Sequence, residues 1–202
     1  MKSKLMISVV FLLSTCSPLA AREAPAQEAP PLGDYHVYFQ VGAMTMQHVT
    51  FDTDDAGLQI GVAGYKHVGR NWYLGAEAGV GASLGLFSDE SSIGMFELNG
   101  KRAFTLGSVF RFDLGAGLSY NKVSYEESSW FGSDNDIEID DWVLGTQALA
   151  NLHLELGGFI AGAHVKYMLT QDVDGVQEAE GLDKGWDYSN LTLGVHIGIL
   201  IR

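Results

Sequence analysis

Seven ionisable side chains interrupt stretches that are otherwise apolar and glycine-rich: Glu77, Glu97, Arg111, Asp113, His164, Lys166 and His196. Carboxylates, imidazoles and cations gathered in one place can shuttle protons, conduct ions, or close into a buried ion-pair network. Nucleophilic catalysis needs more, a serine, threonine or cysteine beside its base. Ser189 and His196 share one segment, but seven residues of extended chain put roughly 23 Å between them. His164 and His196 have the same phase in the last two segments, with no serine or cysteine in that phase beside them. Cys16 is the only cysteine, so neither an internal disulfide nor a cysteine-rich metal site is available. Asp172-Val173-Asp174-Gly175 looks like a fragment of a calcium loop, but lacks the next acid and the closing glutamate. The expectation is no catalytic, cofactor or metal site, with the seven charges forming a structural polar core.

The segments carrying these residues alternate with period two. Tyr35, Val37, Phe39, Val41 and Ala43 share one face, opposite His36, Tyr38, Gln40, Gly42 and Met44. Similar alternation covers about 57–67, 72–86, 93–101, 104–125, 139–152, 156–170 and 191–201. Leu191, Leu193, Val195, Ile197, Ile199 and Ile201 give the last segment its apolar face. One face suits lipid and the other a packed lumen. The many glycines on the polar face fit a narrow eight-strand interior better than the watery side of a sandwich. The spacing therefore predicts an all-β, eight-stranded antiparallel transmembrane barrel over 35–202. Such a sheet must close, because lipid satisfies no edge hydrogen bonds.

Connection lengths alternate as well. Short turns are expected near Gly69-Arg70-Asn71, Lys101-Arg102-Ala103 and His153-Leu154-Glu155, and long connections near 47–56, 87–92, 126–138 and 171–188. An even barrel with both termini in the periplasm shows this pattern, with the long loops extracellular. Acids crowd the long connections, where Lys184 is the only lysine or arginine. That suits solubility and repulsion at a wet surface, or divalent-cation binding that bridges to phosphate groups of lipopolysaccharide. Trp142, Trp186 and Tyr188 are expected to anchor the membrane interface, whereas Trp130 and Phe131 lie further into a loop.

Residues 1–21 read as a signal peptide, with Lys2 and Lys4 before an apolar run from Leu5 to Leu13 and small residues at Ala20 and Ala21. A weaker alternative is lipidation at Cys16. Residues 22–34, with three prolines, read as a flexible periplasmic leader. The net charge of −13 becomes about −15 on losing Lys2 and Lys4, which argues against any nucleic-acid partner.

The run Asp113-Leu114-Gly115-Ala116-Gly117-Leu118-Ser119-Tyr120-Asn121 and the closing strand from Leu191 resemble the small outer-membrane barrels, of the OmpA transmembrane-domain and OmpX-like group. That group usually ends on an aromatic residue, and this sequence closes Ile199-Leu200-Ile201-Arg202. The resemblance implies the outer membrane, lipid and lipopolysaccharide neighbours, the barrel assembly machinery as a transient partner, and a monomer. An eight-strand interior about filled by side chains, Arg111 and Glu77 among them, favours a structural or surface-interaction role, in envelope integrity or adhesion, with an unidentified surface ligand. The alternative is a small low-conductance pore, and a lipid-modifying enzyme is the least favoured role.

Overall fold

The computed structural model describes residues 35–47, 54–83, 89–106, 109–127, 137–171 and 188–201, all within the compact unit Pro31–Arg202. The signal peptide, the leader, the calcium-like fragment, Trp130, Phe131 and Trp186 lie outside the described residues.

Eight strands follow in order: β1 (Tyr35–Gln47), β2 (Asp54–Gly69), β3 (Trp72–Ser83), β4 (Asp89–Leu106), β5 (Phe110–Glu127), β6 (Ile137–Leu156), β7 (Phe159–Thr170) and β8 (Asn190–Ile201). Each pairs antiparallel with the next, and β1 also pairs with β8, so the sheet is a closed barrel. Closure satisfies the backbone groups that an open sheet would leave facing lipid.

The two faces separate as the alternation requires. Glu97 and Asp113 are 0% exposed, whereas their neighbours Leu98 and Leu114 are 59% and 47% exposed. Leu118, Val195, Ile197 and Ile199 also point outward, so the apolar side chains coat the exterior and the polar ones fill the lumen. Gly75 and Gly162 stand where the lumen leaves no room for a side chain. A β-carbon at Gly162 would lie 2.6 Å from Nε2 of His196, and one at Gly75 would strike the Tyr65 ring.

Several boundaries differ from expectation. Lys101-Arg102-Ala103 is not a turn; it continues β4, and Phe104 belongs to β4 opposite Phe112 rather than to β5. His153-Leu154-Glu155 likewise continues β6. The alternation runs straight through both triplets, Lys101 and His153 facing inward while Arg102 and Leu154 face outward. The turns lie further along. Gly157 and Gly158 join β6 to β7 with φ of 60° and 104°, a backbone that glycine adopts without strain. Arg70 and Asn71, at φ 45° and 65°, join β2 to β3, matching the two-residue turn that suits a right-twisted hairpin. At the opposite end, Asp54, Asp55, Asp89, Glu90, Glu126, Glu127 and Glu138 belong to strands rather than loops. β4, β5 and β6 thereby reach 18, 18 and 20 residues, against 12 for β3, β7 and β8.

Candidate functional site

The lumen is where the chemistry-bearing residues meet, and alternation along each strand puts them there. Glu77, Glu97, Arg111, Asp113, His164, Lys166 and His196 are all buried inside the barrel. They form two connected layers, with an apolar layer above.

Asp113 is the hub nearest the turns. Its carboxylate accepts from Nζ of Lys101 at 3.0 Å, Nε of Arg111 at 2.9 Å and Nε2 of His153 at 2.8 Å. Arg111 also pairs with Glu155 and meets Nδ1 of His36 at 2.8 Å. Lys101 sits 3.7 Å from the centroid of the Tyr65 ring and donates to the Tyr38 hydroxyl at 3.3 Å. His196 continues the chain, its Nε2 lying 2.9 Å from Nδ1 of His153. With Asp113 ionised, every contact in this chain is satisfied if both rings carry their proton on Nε2.

The middle layer is built on Glu77 and Glu97, which face each other across β3 and β4. Lys166 reaches both, at 2.6 Å to Oε1 of Glu97 and 3.5 Å to Oε2 of Glu77. Glu77 also accepts from Nε2 of Gln40 at 3.0 Å and from the Tyr65 hydroxyl. Nε2 of Gln147 donates to Glu97 at 2.7 Å and to Oδ1 of Asn99 at 2.6 Å. Dense donation of this kind is what makes several charges tolerable in so small an interior.

Toward the loop end the lumen turns apolar. Met44, Ile93, Met95, Val123, Val143, Met168 and Tyr188 pack into one buried cluster. Tyr188 was expected to anchor the membrane interface, but the residue is 1% exposed and packs into this cluster. Trp142 does point outward, stacked on Tyr120 with centroids 4.6 Å apart. Ser189 and His196 are kept apart: the serine hydroxyl accepts from the Thr170 amide near the loop end, while His196 sits with His153. Among the described residues, no group of three or more His, Cys, Asp or Glu side chains is arranged to hold a metal.

Lys101, His153 and Glu155 were missed as members of the network because their triplets read as turns. Phase alone could have found the first two. Lys101 stands in step with Glu97 and Asn99, and His153 with Gln147 and Asn151.

No protein-family model matches the sequence, and no curated protein matches it. Solved structures do. Neisserial surface protein A is 13% identical over 81% of this chain and 96% of its own, with a TM-score of 0.62. The outer membrane protein OprG from Pseudomonas aeruginosa is 15% identical over 85% and 97%, at 0.54. The attachment invasion locus protein of Yersinia pestis is 11% identical over 85% and 100%, at 0.52. At such identities the likeness is one of fold. Joined to the chain's own apolar exterior and closed sheet, it makes this protein an eight-stranded transmembrane barrel with the fold of the outer-membrane barrels.

Proposed function

We propose that the barrel is a structural and surface-interaction protein of the outer membrane, and not a conduit. The observation that supports this is the cross-lumen bridging. Lys166 on β7 holds Glu77 on β3 and Glu97 on β4, Gln147 on β6 joins Glu97, and Gln40 on β1 joins Glu77. These bonds tie opposite walls together across the path an ion would take, and the apolar cluster lies above them. Eight strands leave an interior that side chains can fill.

In this reading the work is done at the rim and loops, on a scaffold held rigid by the lumen. The loops face the cell exterior and both termini the periplasm, after removal of the signal peptide at 1–21. One relative by fold, the Yersinia protein, has been crystallised with the heparin analogue sucrose octasulfate. A net charge of −13 makes a polyanion a poor partner here and favours a cationic or neutral surface ligand.

Planar-bilayer recording on pure, folded protein tests the choice. The expected result is no reproducible unitary conductance. Stable channels of constant amplitude would overturn the proposal and establish the small pore. Hydrolysis or acyl transfer on lipopolysaccharide or phospholipid by the same preparation would overturn it in favour of an enzyme.

A further inference from the structure

The barrel exterior carries cations at one end in an arrangement that the lumen does not explain. Near the short turns, Lys66 and Arg102 both point outward and are exposed, and Arg70 occupies the adjoining turn. Among the described residues, none of the three lies within salt-bridge distance of a carboxylate, in contrast to Lys101, Arg111 and Lys166 inside. Lys66 and Arg102 are nonetheless braced. The Lys66 ammonium lies 5.4 Å from the centroid of the Tyr35 ring, and the Arg102 guanidinium 5.3 Å from that of Phe104.

The register places them around one spot. Lys66 pairs with Leu74 and Arg102 with Trp72, so the two cations flank β3 from either side, with outward Leu74 and Trp72 between them. Two interstrand spacings put their backbones about 10 Å apart across the sheet, and the two-residue offset adds about 7 Å along it. Lys66 leans toward Tyr35 on β1 and Arg102 along β4 toward Phe104, and side chains of that length, swung off these rings over β3, span the gap to a single small anion. Gly64 and Gly100 add relief to this face: a β-carbon at Gly64 would meet nothing within 4 Å, and one at Gly100 would touch only Leu74. Trp72 and Tyr35 are the residues a membrane interface favours, and cations beside them sit at headgroup depth.

We infer that Lys66 and Arg102, with Trp72 between them, form a binding site for the phosphodiester headgroup of an anionic glycerophospholipid in the leaflet at the turn end. The guanidinium can hold two phosphate oxygens at once, the ammonium supplies the second charge, and Leu74 and Trp72 cover the start of the acyl chains. A zwitterionic headgroup brings its own cation and gains less. Toward the opposite end, the outer-face Lys122 is already paired with Asp140 at 3.0 Å. The inference needs only the membrane barrel and is independent of the surface-interaction role.

The test is lipid retention. The full mature protein is folded into nanodiscs of equal phosphatidylglycerol and phosphatidylcholine, extracted gently in detergent, and its bound lipid measured by native mass spectrometry. Wild type should retain phosphatidylglycerol in preference. The double variant Lys66→Gln/Arg102→Gln should lose about tenfold of that preference, while Lys122→Gln keeps it. Heat-modifiable migration shows that each variant is folded, so a negative lipid result leaves the barrel itself intact. Equal retention of the two lipids by wild type, or an unchanged preference in the double variant, would overturn the inference. So would displacement of the lipid by millimolar inorganic phosphate, which would mark a general anion site.

Discussion

Lys166 faces two carboxylates alone among the lumen's cations of the middle layer, and much depends on it. Its replacement by methionine keeps the volume but leaves Glu77 and Glu97 opposed across neighbouring strands with only neutral donors. Removing one partner from a buried network of this kind costs about 3–5 kcal/mol. Lys166→Met is therefore expected to lower the urea midpoint of the vesicle-folded protein markedly. Adding Glu97→Gln should restore part of the loss, because one of the two stranded charges goes with it. An unchanged midpoint in the single variant would show that the middle layer does not hold the walls together. The seven charges first picked out by type were all legible as inward residues, because each interrupts an apolar alternation. Which of them would pair was not legible. Pairing depends on the register of neighbouring strands, which sets His153 diagonal to Asp113, and on the shear of the closed sheet, which brings Lys166 across the lumen to Glu97.

Strands were legible from their alternation, and their ends were not. Lys101-Arg102-Ala103 and His153-Leu154-Glu155 look like turns because polar residues cluster there, yet Lys101 and His153 point into a lumen that is itself polar. In a membrane barrel, polarity marks the inside as well as the ends, so it cannot locate a turn. Backbone conformation does, and the pair Gly157-Gly158 was the better signal. Gly158→Val, at φ 104°, should destabilise the β6–β7 hairpin by about 1–2 kcal/mol, seen as a lower urea midpoint and slower folding into vesicles. Equal stability would mean that the turn relaxes to another geometry. On the outer face, Leu118→Arg puts a charge at one of the most exposed positions of β5. A cost of about 2–4 kcal/mol is expected if that position lies at the bilayer midplane, and near zero if it lies outside the belt. The same substitution thus reports where the membrane sits.

For the whole molecule, the expected behaviour is that of a β-rich monomer that sediments with outer membranes and migrates differently before and after boiling. A monodisperse protein in water without detergent would contradict the exterior described above. Epitopes inserted near Gly132 or Gly175 should be labelled on intact cells, and one at Arg70 only after permeabilisation; the reverse pattern would invert the topology while leaving the barrel standing. Strand length adds a further consequence. A strand of 12 residues, tilted as in such barrels, rises about 30 Å, close to the apolar belt, whereas the 20 residues of β6 rise about 50 Å. The rim is therefore stepped where β6 meets β7: β6 begins eight residues before its first β7 partner, Gly145 opposite Thr170, and so stands about 20 Å above it. On a cell coated with sugar chains, that height governs visibility. An epitope inserted directly after Glu127, level with the start of β6, should be reached by antibodies through a polysaccharide layer deep enough to hide one inserted directly after Thr170, at the end of β7, so that growing the coat silences one epitope before the other.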